Sequence, residues 1–355
     1  MLYSQGEYLK ALAQHEQHLA LTRETQDKWG ERQALANLGR VQLGFGKPDV
    51  ALDYHQESLA LARAIEDNLG EGQTLGYIGD VYVFLGQLGK AIEQYEQSLA
   101  IFRQAGDRYN EAEALSKLGD TQRQLNDYEA AIESYQQSER IAETIESAKG
   151  QAKALSGLAE VYADQFWYEE AIASYNASLA LSQQSGDLEG AGDTLNRMGQ
   201  FYSIMSQYPP ALEAYAQSLE IRRQVGDRAG EAITLNNIAS VYSRQNRYAE
   251  ALTTYQQALA IFREAGYPTG EGHTLQNIGV ILAKQQHYIQ SLLSLHQAYA
   301  LFTALALSSG TDSVRSWIDA ALAGIRDNNS PTEYQQQCLT TAQATNIPLA
   351  DLCPD

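Results

Sequence analysis

Residues 110–149 read NEAEALSKLGDTQRQLNDYEAAIESYQQSERIAETIESAK. Ala114, Leu115, Leu118 and Gly119 keep the three-and-four spacing of one helix face, Asn126-Asp127 interrupts it, and Tyr128, Ala131, Ile132, Tyr135 and Ile141 resume it. The stretch predicts two helices joined by a short turn.

The same pattern recurs in both directions at steps of 40 residues without drift. Leu35, Leu75, Leu115, Leu155, Leu195, Leu235 and Leu275 form one column, and Gly39, Gly79, Gly119, Ala159, Gly199, Ala239 and Gly279 another. Gly30-Glu31, Gly70-Glu71, Asn110-Glu111, Gly150-Gln151, Gly190-Ala191, Gly230-Glu231 and Gly270-Glu271 mark the start of each copy. A period of this size predicts a solenoid, in which each unit buries its apolar face only against its neighbours and a long surface stays free. The first, inner helix covers roughly 31–44 and its equivalents, and the second roughly 48–65. Gly106, Gly186, Gly226 and Gly266 suit left-handed C-terminal caps, and Asp107, Asp187 and Asp227 suit the N-terminus of the next helix. The "GD" pairs are punctuation rather than chemistry.

Small and aromatic residues alternate where helices must approach. Ala51, Ala91, Ala131, Ala171, Ala211 and Ala251 each stand four before His55, Tyr95, Tyr135, Tyr175, Tyr215 and Tyr255. A second row, Tyr8, Tyr128, Tyr168, Tyr208, Tyr248 and Tyr288, falls at the start of the second helix. Both rows are read as packing, and His15 and His55 as histidines in aromatic positions rather than metal ligands.

Leu115, Leu118, Gly119, Ala131, Tyr135 and Ser138 match the large, large, small, small, aromatic, small spacing of the tetratricopeptide repeat. The chain resembles the 40-residue variety of that family, similar to repeats of Pins-type adaptors and kinesin light chains. The resemblance implies an all-α, alpha-alpha superhelix of about seven helix-turn-helix repeats. The expected organisation is an N-terminal half repeat at 1–25, seven units over 26–305, a capping helix at 306–327 and a polar tail at 328–355. The capping helix shows Val314, Trp317, Ile318, Ala321, Leu322 and Ile325 on one face. The half repeat, with Tyr8, Ala11, His15 and Leu19, has an apolar face and almost no inner helix before it, so either a segment upstream or a second copy in a homodimer is expected to cover it.

The net charge of -19, from 44 acidic and 25 basic residues, opposes nucleic-acid binding, which needs phosphate neutralisation. The start MLYSQGEYLK is no leader pattern and no run approaches a membrane span, so a cytoplasmic protein without a membrane partner is expected. Cys338 and Cys353 both lie in the tail, so disulfides are not expected to hold the repeats. No phosphate loop, H-E-x-x-H or Gly-x-Ser-x-Gly occurs, and no catalytic residue, metal or cofactor is assigned.

In tetratricopeptide arrays the inner helix lines the groove. The position two before the repeated glycine is Asn37, Tyr77, Lys117, Gly157, Arg197, Asn237 and Asn277, with Asn196 and Asn236 one residue earlier. The asparagines resemble groove asparagines that pair with the backbone of an extended peptide, whose every unit offers a donor and an acceptor. The position after the glycine runs Arg40, Asp80, Asp120, Glu160, Gln200, Ser240 and Val280, reinforced by Asp164, with Arg244, His273 and Lys284 further on. An acidic middle facing a basic segment of a peptide or protein partner is the expectation. The Lys, Asn, Asn, Lys, Arg clamp of chaperone cofactors is lacking. The expected function is a non-catalytic interaction scaffold. The alternatives are the sensor array of a larger signalling enzyme, an ATPase or caspase-like protease, and a self-assembling structural protein.

Overall fold

The computed structural model describes residues 5–305, 307–328, 335–336, 338–340 and 342, and among them the chain is helical throughout. Sixteen helices follow one another among the described residues: α1 (Gln5–Glu24), α2 (Lys28–Gly44), α3 (Pro48–Ala64), α4 (Asn68–Phe84), α5 (Leu88–Ala105), α6 (Arg108–Gln124), α7 (Tyr128–Thr144), α8 (Ala148–Asp164), α9 (Tyr168–Ser185), α10 (Leu188–Ile204), α11 (Tyr208–Val225), α12 (Arg228–Arg244), α13 (Tyr248–Ala265), α14 (Pro268–Lys284), α15 (Tyr288–Ala304) and α16 (Ser308–Asn328). The chain is an all-α solenoid of consecutive helix pairs.

The punctuation works as the sequence predicts. Asp27, Asp67, Asp107, Asp187 and Asp227 accept the backbone N–H three residues on, which satisfies a donor that the first helical turn leaves open. Gly106, Gly186, Gly226 and Gly266 adopt left-handed backbone angles, with φ of 69, 70, 73 and 65°. The glutamate of the recurrent turn has a further role. Glu31, Glu71, Glu111 and Glu271 take the guanidinium of Arg23, Arg63, Arg103 and Arg263 from the preceding helix at 2.9, 2.7, 3.1 and 2.8 Å.

Packing divides the chain into two compact units, one from Gly6 to Val225 and one from Gly226 onward. In the first, α2/α3, α4/α5, α6/α7, α8/α9 and α10/α11 are hairpins, and α2, α4, α6, α8 and α10 contact one another in succession. In the second, α12/α13 and α14/α15 are hairpins, α12 touches α14, and α16 packs on α14 and α15. Val314, Ile318, Ala321, Leu322 and Ile325 of α16 are buried with Leu292, Leu295 and Phe302. On α1, Leu19 joins Ala34, Leu35 and Leu38 in a core cluster that Leu12 flanks; the side chain of Tyr8 lies outside the described residues.

Within each hairpin the alanine and aromatic columns are buried, and the aromatic decides the glycine column. A Cβ on Gly79 would stand 2.6 Å from Tyr95 Cε1, and one on Gly199 2.5 Å from Tyr215 Cε1, so the ring occupies the space of the missing side chain. A serine column adds a polar tie. The Oγ of Ser58, Ser98, Ser138, Ser178 and Ser218 donates to the carbonyl 26 residues earlier, on Arg32, Gly72, Ala112, Ala152 and Gly192, at 2.7 to 3.1 Å. Ala258 and Ala298 take that place in the second unit, both fully buried.

Most of the expected tail lies outside the described residues. Cys338 is buried and disulfide-bonded, so it offers no free thiol.

Candidate functional site

Asp80 on α4, Asp120 on α6 and Glu160 on α8 do stand at one level of successive inner helices, all half-buried. They do not form the free acidic stripe expected from their column. Lys117 of α6 reaches back to Asp80, with Nζ–Oδ2 2.7 Å. Arg197 of α10 reaches back in the same way to Glu160, with Nη1–Oε2 2.5 Å. Arg123 bridges Glu160 at 3.1 Å and Asp164 at 2.8 Å. Burial opposes the charge of Arg123, and the two carboxylates outweigh it, holding the guanidinium above its ordinary range. Burial opposes Arg197 as well, and Glu160 followed by Asp120 outweighs it. Most of the acidic groups in the middle of the inner-helix face are therefore paired, which corrects the expectation of a free acidic stripe there. The comparison at 40-residue steps missed this because the partner sits one helical turn earlier on the next inner helix, a step of 37 residues.

The same step recurs at the start of this unit. Arg40 lies over the Tyr77 ring, its Cζ 5.2 Å from the centroid. For Asp120 the step leads to Gly157, which has no side chain to offer, and Tyr135 fills the place: a Cβ on Gly157 would meet its Cε1 at 2.3 Å. A second step, of 15 residues, ties the aromatic column to the same carboxylates. Tyr95 Oη donates to Asp80 at 2.7 Å and Tyr135 Oη to Asp120 at 2.6 Å. Burial first, and the neighbouring carboxylate second, push both phenols well above their ordinary range, so they stay protonated as donors. In the second unit Tyr255 bonds Ser240 at that step, and burial pushes it up to about 12.

His55 breaks the pattern. It occupies a tyrosine position at the 15-residue step from Arg40, where a hydroxyl would have no carboxylate to meet. It is fully buried, neither ring nitrogen has a hydrogen-bond partner among the described residues, and its ring lies 5.6 Å from that of Tyr77. Burial, with Arg40 assisting and Asp80 opposing, lowers its pKa to about 4. It is a neutral core imidazole.

The asparagines divide. Asn37 on α2 and Asn277 on α14 are half-buried and have no side-chain hydrogen-bond partner among the described residues. Asn236 Oδ1 accepts from Thr274 Oγ1 at 3.1 Å, and Asn196 and Asn237 are likewise engaged within the protein. Arg40 and Arg244 are exposed. Asn236, Asn237, Arg244 and Asn277 belong to the second unit.

Three cavities open on the inner helices of the first unit, one of them, of about 290 Å3, between Lys153 and Ser156 of α8 and Asp193 and Arg197 of α10. Another, of about 460 Å3, draws walls from α4, α6, α8 and α10, among them Asp80, Lys117, Asp120, Gln124, Lys153 and Glu160. The third, of about 360 Å3, lies over Gly72 and Gly76 and is walled by Arg40, Tyr77, Tyr109 and Lys117. Sequence reasoning missed Lys153 and Gly76. Gly76 carried a signal, as the smallest member of the column Ala36, Gly76, Ser116, Ser156, Asn196, Asn236 and Gln276. Among the described residues no cluster of three or more His, Cys, Asp or Glu could hold a metal, and no helix is long and apolar enough to cross a membrane.

Comparison with known proteins places this architecture. No curated protein sequence gives a significant match. Of solved structures, the chain is similar to aspartyl phosphate phosphatase F from Bacillus subtilis, at 13% identity and a TM-score of 0.59 over 84% of this chain and 74% of that one. It is similar to a signal-transduction ATPase with a tetratricopeptide repeat sensor from Pyrococcus horikoshii, at 15% identity and a TM-score of 0.59 over 90% of this chain and 47% of that one. A Rap protein complexed with competence and sporulation factor matches at 14% identity and a TM-score of 0.55, over 94% of this chain and 97% of that one. At these identities the likeness is one of fold. The tetratricopeptide repeat profile matches residues 1–64, 70–144, 150–224, 191–264 and 230–304. Profile, period and helix pairs agree, and the chain belongs to the tetratricopeptide repeat family.

Proposed function

We propose that the chain is a non-catalytic interaction scaffold that holds an extended peptide segment on the inner helices of the Gly6–Val225 unit. The observation that carries this reading is the cavity of about 460 Å3 walled by four successive inner helices, a run long enough to follow several residues of extended chain. Asp80 and Glu160 are already paired with Lys117, Arg123 and Arg197, and Asp120 accepts from the Tyr135 hydroxyl, so it suits a peptide of mixed charge better than the basic segment expected from the acidic column. Asn37, on α2 of the same unit, keeps an amide without a side-chain partner among the described residues, and an amide can both donate to and accept from a peptide backbone. The Rap protein solved with competence and sporulation factor supports the reading, as a relative in fold with a bound factor.

A random peptide library displayed on phage and panned against the chain tests it. Enriched peptides are expected to bind Gln124→Trp and Lys153→Glu, which fill and recharge the cavity, at least about tenfold more weakly than wild type by calorimetry. Equal affinity, or no enrichment at all, defeats the proposal.

A second reading, the repeat sensor of a larger signalling protein, is supported by the ATPase, of which the chain spans about half the length. A catalytic domain in the same reading frame would decide for it.

A further inference from the structure

Each hairpin turn of the repeats places one residue in the left-handed region, and the residues there are Gly46, Gly86, Asn126, Phe166, Ser206, Asn246 and Gln286. Glycine and asparagine tolerate that conformation, and a bulky apolar residue is strained in it. Phe166 has a φ of 64° and gains no packing in return, being 73% exposed. The exchange also removes a hydrogen bond. Tyr128 and Tyr248 donate to Asn126 and Asn246 at 2.9 and 2.7 Å, whereas Tyr168 meets only the edge of the Phe166 ring, with centroids 6.1 Å apart. At the next position, where the other turns carry Lys47, Gln87, Asp127, Gln207, Arg247 and His287, stands Trp167, 48% exposed and without a side-chain cap.

The strain and the exposure give the fold nothing, which is the pattern of a surface kept for contact. The tip is also held firmly. Trp167 stacks on Tyr162 at 5.8 Å, and Tyr168 packs on Phe201 of α10 at 5.9 Å, so the aromatics present a preformed surface. Ile204 ends α10, the helix that Tyr168 packs on through Phe201, and is 74% exposed, a further large apolar side chain left on the surface. The charge beside the aromatics has one sign. Glu169 and Glu170, in the first turn of α9, are exposed, and no ion pair engages either of them among the described residues.

We infer that the turn joining α8 to α9 is a docking surface, separate from the inner-helix cavity, for an amphipathic helix of another protein whose apolar row is flanked by Lys or Arg. The apolar row covers Phe166, Trp167 and Ile204, and the flanking cations meet Glu169 and Glu170.

A short synthetic leucine–lysine amphipathic helix, with a leucine–glutamate helix of the same pattern as control, tests the surface on the full chain. The leucine–lysine peptide is expected to bind wild type about 30-fold more tightly than Phe166→Asn/Trp167→Gln. Glu169→Lys/Glu170→Lys is expected to weaken it by about tenfold. Helical circular dichroism and Tm keep the test independent of folding, because asparagine relieves the left-handed strain and the aromatic variant is expected to melt no lower than wild type. The inference is overturned by no binding to wild type, by equal affinity for the aromatic variant, or by equal binding of the leucine–glutamate peptide. Self-association abolished in the aromatic variant would assign the face to a second copy instead, and aromatic-dependent binding to vesicles would assign it to a membrane.

Discussion

Lys117 and Asp80 are 37 residues apart in sequence and joined at 2.7 Å, and Tyr95 adds its hydroxyl to the same carboxylate. Two side chains about one-third exposed form a contact between neighbouring repeats that screening weakens without abolishing. A double-mutant cycle of Lys117→Met and Asp80→Asn, which keeps an acceptor for Tyr95, is expected to give a coupling of about 0.5–1 kcal/mol in urea denaturation. The coupling should shrink in 1 M salt, where the Debye length is about 3 Å. A zero coupling at low salt would remove the 37-residue pairing from the account of the fold.

His55 makes stability depend on acid. Its pKa falls from 6.5 to about 4 on folding, because burial penalises the imidazolium by more than the attraction of Asp80 offsets, and Arg40 adds a smaller repulsion. The folded state therefore excludes a proton that the unfolded chain binds below 6.5. Stability is complete above pH 6.5 and declines as the pH falls toward 4, by roughly 3 kcal/mol in all. His55→Phe should lose that slope between pH 6.5 and 4 while the contributions of other groups remain. Parallel profiles for wild type and variant, by urea midpoint against pH, would contradict the buried neutral imidazole.

Gly76 and Gly157 look alike in sequence and differ in space. A Cβ on Gly76 meets nothing nearer than Ser98 Oγ at 3.7 Å, so Gly76→Ala should raise stability by about 0.5–1 kcal/mol through the lower backbone entropy of the unfolded chain. A Cβ on Gly157 runs into the Tyr135 ring, which its bond to Asp120 and its burial hold in place. Gly157→Ala should cost about 1–3 kcal/mol. Thermal melts that rank the two variants in the opposite order would show that the Tyr135 ring yields.

The repeat was legible because it rests on local signals. Helix periods, Gly106 and Asp107 as caps, and the Ala91–Tyr95 pair lie within a few residues of one another, and copying at a fixed step makes each of them visible several times. The charge pattern of the candidate site was not legible in the same way. Asp80, Asp120 and Glu160 were compared with each other down one column, whereas the contacts cross columns, from Lys117 to Asp80 and from Arg197 to Glu160. The crossing depends on how one inner helix is set against the next, which a 40-residue step does not contain. Phe166 was hidden for another reason. The turn is marked in sequence by Asn126-Asp127 as an interruption, and only the backbone angles show that its first residue must be left-handed and that Phe166 is the misfit there.

The serine column separates the two units and gives a final test. Ser98 Oγ donates to the Gly72 carbonyl at 2.7 Å in a buried setting, and that carbonyl is also positioned for its own helix bond, so Ser98→Ala leaves it satisfied and loses only the shared bond. The expected cost is about 1 kcal/mol by urea denaturation. Ala258 holds the equivalent place in the second unit and is fully buried. If the hairpin geometry is the same there, Ala258→Ser finds the carbonyl of Ala232 at the 26-residue step and changes stability by less than about 0.5 kcal/mol. Without that acceptor the buried hydroxyl is orphaned and costs about 1–3 kcal/mol. A loss of that size would mean that α12 and α13 pack differently from α4 and α5, and that the change from serine to alanine marks a real change in the hairpin rather than a neutral substitution.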